Sequence, residues 1–411
     1  MDSLLAATAS QWVTDTNAAV HIQLVGADSA DDVLKAISRD PPEGAAEDEG
    51  EDGDDEGGAD VIQFHPQFTY SIYGEHERVF GYKGLQIFLR YAAGSLAAHL
   101  DIRYAKRVDA LDSTHAVALR ADDVATPLRQ HLCSAALCAS ASEFAQRVAR
   151  DTAEFRPTGR KMHEYAGAGE GQAYEVYAGD FGDAQVRAYH ERAQLLPMLY
   201  IEGAQAIDTA DERWRVVSVF ERLTLDGRPS YALVGFCTLY AFFHWPDHVR
   251  WRISQFLVLP PFQAQGHGRR LYQAIHRMVL DDARATDLHV EDPSAAFDDM
   301  RDRCDLQYLL AQRAFDALQG APVAAETLAA LAARHKMSRR QTARCVEMAL
   351  LRTLDRRDER AYAAYRLFVK RRIYAQNADQ MAAMDADERR QRVGAAYAAV
   401  EEDYGRIMAA L

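Results

Sequence analysis

The sequence predicts an α+β protein in three parts: an N-terminal mixed α/β domain (1–155), a central domain whose mixed sheet is flanked by helices (156–316), and a C-terminal helical domain (317–411). Three observations carry that reading. Short apolar runs with period-two alternation recur as far as residue 290. Helical apolar spacing interleaves with them in the central region. Beyond about residue 316 the chain is Ala/Arg-rich and helical in period, with no strand signal to residue 411. A chain of 411 residues exceeds one ordinary core. Its 48% apolar and 9% aromatic content excludes wholesale disorder.

The elements follow in order. VHIQLV (20–25) alternates as a strand, and SADDVLKAIS (29–38) reads as a capped helix. Between Glu43 and Asp60 stand ten acids and no Lys or Arg, so self-repulsion leaves 43–60 as a disordered acidic insert. Residues 61–74 are aromatic and β-rich; strands are predicted around 84–91 and 98–104, and a helix around Phe144 and Val148. Arg156-Pro157-Thr158-Gly159 marks a boundary. Beyond it come a strand at 174–179, a helix at 188–204 interrupted near Pro197, and strands at 213–223, 231–245 and 249–259. The first two of those strands are joined by an Asp-Gly turn at 225–230. Pro260-Pro261 stop the last of them. A helix at 268–281, a strand at 286–290 and a helix after Pro293 close this part. The C-terminal helices are predicted at 323–334, 338–354, 358–375 and 387–410.

Charge and cysteine usage narrow the function classes. The net charge is −14, and ten of those charges belong to 43–60, so the remaining body is close to neutral. That balance speaks against a basic protein that coats phosphates or reads a nucleic-acid sequence. Five cysteines, none in a CxxC pair, indicate neither a disulfide framework nor a zinc site. VGFCTLY reads as a buried strand, which makes Cys237 an inert core thiol. No run approaches the roughly 18 apolar residues of a membrane span. The N-terminus lacks the basic region of a signal peptide. Nucleus and cytoplasm are the expected compartments. His65, His190 and His267 show no metal spacing, and Pro246 inside the His244/His248 pair argues for a turn, so no metal is expected. Lys370-Arg371-Arg372 with Arg366 reads as a solvated basic helix face, with a nuclear-import signal or a histone/DNA contact as the sharper alternative.

The most informative stretch is Arg252 to Ser294. A strand leads through Pro260-Pro261-Phe262 into Gln263-Ala264-Gln265-Gly266-His267-Gly268 and then a helix with Leu271, Ile275, Met278 and Val279 on one face. Small residues opening a helix let backbone N–H groups and the positive helix end converge on a phosphate. Neither the GxGxxG nor the P-loop spacing is present. The Q-x-x-G-x-G pattern resembles the acetyl-CoA pyrophosphate loop of GNAT N-acetyltransferases. A Gly-rich turn without a ligand stays open at this point.

Asp292-Pro293 reads as an N-cap followed by proline at the first helical position, which explains Asp292 structurally. Glu291 ends a strand just before a helix. A carboxylate there takes the proton of an incoming ammonium if burial or a neighbouring acid raises its pKa; a surface strand-end residue is the equal alternative. Asp292 and Glu202 are the other carboxylates expected to share that site.

The longer motifs FHPQFTYSIYGEHERVFGYKGL (64–85), RYAAGSLAAHLDIRYAKRVD (90–109), YHERAQLLPMLYIEGAQAIDTADERW (189–214), VGFCTLY (234–240), RISQFLVLPPFQAQGHG (252–268) and VEDPS (290–294) resemble the catalytic subunit of type B histone acetyltransferases, over about residues 62–375. The resemblance implies a GNAT-fold catalytic domain that transfers acetyl from acetyl-CoA to tail lysines of newly made histone H4, presented as an H3–H4 dimer. It implies a WD40 histone chaperone of the retinoblastoma-binding type as partner. By position, Phe256, Leu257 and Val258 would meet the acetyl-pantetheine arm, and Gln263, Ala264, Gln265, Gly266, His267, Gly268 and Arg269 would hold the pyrophosphate. Ser294 would lie near the cofactor. Glu291 would be the catalytic carboxylate, with Asp292 and Glu202 in support. Glu75, His76, Glu77, Trp214, Tyr240, Ala241 and Phe242 would line the histone-peptide groove, although aromatic residues on strands are more often core. Ala264 replaces a glycine usual in the family, His76 stands where an acid is common, and Ala241 where a larger polar residue is. A small-amine or other-protein acetyltransferase, and a non-catalytic chaperone working through the acidic insert, are the alternative readings.

Overall fold

The computed structural model describes residues 11–38, 59–110, 120–169, 171–225 and 227–411. The acidic insert therefore lies outside the described residues, apart from its end at Ala59 and Asp60, and so does Asp226 of the Asp-Gly turn. Contacts group the chain into two units: Met1–Leu239 with Gln255–His267, and Tyr240–Ser254 with Gly268–Leu411.

In the first unit, strands β1 (Val20–Gly26), β2 (Asp60–Phe64), β3 (Gln86–Ala92) and β4 (Ala98–Arg103) form a sheet in the order β2-β1-β3-β4. β1 and β3 run parallel, from Val20↔Ile87 to Val25↔Ala92, and the outer pairs are antiparallel. Helices α1 (Ala30–Ser38) and α2 (Ala141–Glu154) cover this sheet, with Val33, Ile37, Phe144, Ala145 and Val148 packed on Val25 and Ala92. Ser140 caps α2 by accepting from Glu143 N. The aromatic stretch after β2 is not further strand: Tyr70–Tyr73 form one helical turn. Its N-terminal N–H groups of Thr69 and Tyr70 donate to the Glu77 carboxylate, a local bond that competes with strand pairing.

A second sheet has six strands, β5 (Arg160–Ala166), β6 (Ala173–Asp180), β7 (Trp214–Leu225), β8 (Arg228–His244), β9 (His248–Val258) and β10 (Ala285–Val290), in the order β10-β9-β8-β7-β6-β5. β8 and β9 each contribute residues to both units. β5 went unpredicted because it is a mostly exposed edge with no apolar alternation. The helix expected at 188–204 is two, α3 (Ala184–Ala193) and α4 (Leu195–Tyr200), broken at Gln194. Pro197 sits in the first turn of α4, where its missing N–H costs little.

In the second unit, α5 (His267–Asp281, beginning one residue inside the first unit) buries Leu271, Ile275, Met278 and Val279, as the spacing predicts. Helix α6 (Ala295–Ala311) is capped by Ser294, which accepts from Phe297 N. This corrects the expected Asp292-Pro293 cap: Asp292 has φ 36°, a left-handed conformation, whereas Ser294 has the extended backbone a cap requires. Helices α7 (Ala325–His335), α8 (Arg339–Thr353), α9 (Glu359–Gln376) and α10 (Ala386–Ala409) lie within a residue or two of their predicted spans. Their core contains Leu306, Met337, Val346, Met348, Tyr365, Val369, Ile373 and Ile407. Arg372 corrects the solvated-face reading: its guanidinium bonds both oxygens of buried Glu347, at 2.7 and 2.8 Å. Arg366 and Lys370 lie over the Tyr397 ring.

His190 on α3 is 1% exposed, lies against Phe181 and Phe236, and has no hydrogen-bond partner on either ring nitrogen. Burial pushes its imidazole down to about 4. From pH 6.5 downward the unfolded chain binds a proton that the fold refuses until about pH 4, so stability falls through that window. His190→Leu is expected to lose about 2 kcal/mol less than the wild type between pH 7 and pH 4.5. Urea unfolding at the two pH values checks this, and equal losses contradict it.

Candidate functional site

β9 alternates strictly from Trp251 to Leu257: Trp251, Ile253, Gln255 and Leu257 are buried, while Arg252, Ser254 and Phe256 are half-buried on the other face. β10 pairs with β9 in parallel as far as Ile253↔Val290. Glu291 follows, and its N–H donates to Ile253 O at 2.9 Å. That register fixes which face Glu291 joins. The Ser254 hydroxyl donates to Glu291 Oε2 at 2.8 Å, and Arg252 Nη2 lies 3.1 Å from Oε1.

A cleft of about 550 Å³ opens at this carboxylate, lined by Phe242, His244, Arg250, Arg252, His289 and Asp292 among others. Asp287, two steps down the same face, accepts from Arg250 and His289 at 2.8 and 2.9 Å. Its burial pushes the carboxyl up, but those two partners outweigh this and hold it at about 2. Tyr240 and Phe242 meet edge to face, with ring centroids 4.6 Å apart. Of the predicted residues, the second unit therefore brings Asp292 and Phe242 to the cleft at Glu291, with Tyr240 against Phe242 and Ala241 between them on β8. It adds Arg252 and Ser254, which sequence reasoning missed; the alternation of RISQFLVL was the signal, since it places both on the face opposite Trp251 and Ile253.

The loop entering α5 belongs to the first unit as far as His267. Gln263 Nε2 donates to Val258 O and Gln265 Nε2 to Pro261 O, so both glutamines brace the loop's own backbone. Gly266 has φ 88°, a conformation natural to glycine. Ala264 also has positive φ, 60°, a conformation L-residues resist. The His267 ring is buried against Tyr165, Tyr174 and Phe262 and bonds the Tyr165 hydroxyl at 2.8 Å. Its imidazole pKa is lowered by burial. The loop leads into a fifteen-residue helix, whose first turn carries the exposed Arg269. Gly235 on β8 lets β9 approach closely: a Cβ there would stand 2.4 Å from Leu257 O.

Other predicted residues are placed differently. Glu77, at φ 51°, accepts from Thr69 N, Tyr70 N and Asn17 Nδ2, so its carboxylate ties the N-terminal segments of the first unit together. Glu75, His76 and Glu202 are exposed, and Trp214 begins β7 half-buried. Ser294 spends its hydroxyl on capping α6. Cys237 is fully buried, and burial pushes its thiol up. Among the described residues no group of three or more His, Cys, Asp or Glu is arranged to hold a metal ion, and no helix is long and apolar enough to cross a membrane.

Family models described as "Histone acetyl transferase HAT1 N-terminus" and "Fungal HAT1, C-terminal" match residues 12–202 and 302–355. Among solved structures, a ribosomal-protein-alanine N-acetyltransferase from Brucella melitensis overlaps 37% of this chain and 94% of its own, at 14% identity and a TM-score of 0.21. Relatives named histone acetyltransferase type B catalytic subunit are far more similar. The Cryptococcus neoformans protein is 33% identical over 98% of this chain and 99% of its own length. The Mycosarcoma maydis protein is 35% identical over 84% and 83%, and the human protein 33% identical over 76% and 75%. With relatives this similar spanning nearly its whole length, the chain belongs to the family of histone acetyltransferase type B catalytic subunits.

Proposed function

We propose that this acetyltransferase moves the acetyl group of acetyl-CoA onto N-terminal tail lysines of newly synthesised histone H4, by direct attack, with Glu291 as general base. The observation that carries the reading is the Glu291 carboxylate at the end of the β9–β10 pair, fixed by Ser254 and facing an open cleft. Histone as the substrate class is supported by the names of the full-length relatives. The preference for H4, its presentation as an H3–H4 dimer, the WD40 chaperone partner and a nuclear and cytoplasmic location come with the family resemblance. On this reading residues 156–316 are the catalytic part, between the N-terminal domain and the C-terminal helices.

A lysine arrives as ammonium, with pKa about 10.4, and has no lone pair to attack with. Glu291 takes one N–H proton, forming an O–H bond. The freed nitrogen pair forms the C–N bond to the acetyl carbon as the C–S bond breaks and the sulfur leaves with that bond's electrons; the second nitrogen proton then passes to that thiolate, leaving a neutral amide and the CoA thiol. The chain's own part is to orient the lysine, hold the thioester and accept the proton. The loop 263–269 would bind the pyrophosphate through main-chain N–H, and Phe256, Leu257 and Val258 would align the acetyl-pantetheine arm. Asp292, Glu202 and Glu75 add negative potential that draws a basic tail, and Trp214, Tyr240, Ala241 and Phe242 would hold its backbone.

Mass-resolved acetylation of an H3–H4 complex in competition with an H3 tail peptide and a polyamine should label H4 tail lysines first; preferred labelling of the polyamine overturns the histone reading. Glu291→Gln should lower turnover by about 10²-fold or more at unchanged acetyl-CoA affinity. Wild-type turnover across pH would show that another group takes the proton. Gly266→Ala forces a Cβ into a left-handed turn and should weaken acetyl-CoA binding about tenfold by calorimetry, a cost of about 1–2 kcal/mol. Unchanged binding would remove Gly266 from the cradle.

A further inference from the structure

Arg252 carries no role in the mechanism above, yet it holds the oxygen that the mechanism needs. Its Nη2 is 3.1 Å from Glu291 Oε1, while Oε2 is occupied by the Ser254 hydroxyl. The other charged groups lining the cleft are His244 from β8, Arg250 from β9, His289 on β10 and Asp292 after it. Arg250 and His289 are both bound to Asp287. Arg252 is thus the one cation paired with Glu291 among the described residues. The pair is single-pronged: the guanidinium lies over the Phe242 ring at 4.5 Å, and its Nε is buried without a hydrogen-bond partner. A two-pronged Arg–carboxylate fork would be hard to displace. A single contact between side chains 36% and 37% exposed is weak and exchangeable.

We propose that Arg252 is a placeholder for the substrate's ammonium. It neutralises Glu291 while the cleft is empty, then yields Oε1 to the incoming lysine and withdraws along the Phe242 face toward water. Two cations cannot share that oxygen without repulsion, and Oε2 is already taken, so the proton-accepting position is the one Arg252 occupies. Exchanging one cation for another spares the protein an uncompensated carboxylate. Arg252 is therefore a positioning residue that sets the competition the tail lysine must win. The inference rests on Glu291 being the base.

The test compares the full-length wild type with Arg252→Gln and Arg252→Lys. Removing the cation should lower the H4 tail peptide KM at pH 7.5 up to about fivefold at little-changed kcat, since the competitor is gone. Arg252→Lys keeps the charge and should keep the wild-type KM. A purely structural role would raise KM in Arg252→Gln. An unchanged or raised KM in Arg252→Gln, in protein that melts at the wild-type temperature and binds acetyl-CoA, overturns the proposal. Glu291→Gln separates the two failures: if it keeps the wild-type turnover, the base assignment is wrong. If it loses turnover while Arg252→Gln leaves KM unchanged or raised, only the placeholder is wrong.

Discussion

The parallel pairing of β9 with β10 is the constraint on which the reactive face depends. It runs from Val249↔Ala285 to Ile253↔Val290 and closes with Glu291 N on Ile253 O. Because side chains alternate with period two, this register puts Asp287, His289 and Glu291 on one face with Arg250, Arg252 and Ser254. A slip of one residue would turn Glu291 toward the buried side of Trp251 and Ile253. Parallel pairing also requires a crossover, and α5 supplies it. Its buried Leu271, Ile275 and Val279 give the register an energetic penalty for error. The alternation that buries Trp251 and Ile253 is the same one that exposes the carboxylate.

The C-terminal helices brace that strand from outside. Leu288 N donates to Lys336 O at the end of α7, and Arg301 of α6 donates to Leu288 O. Lys336 closes the C-terminal end of α5 by donating to Val279 O and Leu280 O, where a cation also suits the helix dipole. Behind them, Asp302 with Arg344 and Glu347 with Arg372 and Tyr404 tie α6, α8, α9 and α10 together through paired buried charges. Losing one member of such a pair leaves a charge without compensation, so these pairs restrict how α6, α8, α9 and α10 pack more than they add to stability. These helices thereby brace the strand that leads into Glu291.

Much of this was legible in the sequence where period and burial agree. RISQFLVL, the apolar face of α5 and the four C-terminal helices each follow from alternation or helical spacing. Local competition defeated the reading elsewhere. Ser294 outcompetes Asp292 as a cap because Asp292 turns left-handed, which no spacing rule anticipates. β5 hides because an edge strand needs no apolar face. Glu77, expected in the groove, has its carboxylate on Thr69, Tyr70 and Asn17, which come from segments that only the fold assembles. Arg252 and Ser254 were visible on the correct face of β9, but their meaning depends on the strand beside it. The sequence could not show that Ala264 takes a glycine-like φ, because one substitution in a loop carries no period.

The measurement that bears most directly on the central claim is chemical rescue of the carboxylate. In a single turnover with acetyl-CoA preloaded and H4 tail peptide as acceptor, Glu291→Ala should transfer acetyl about 10²- to 10⁴-fold more slowly than the wild type, and added formate should restore part of that rate in a saturable way. Transfer at the wild-type rate by Glu291→Ala, with no response to formate, would contradict the account.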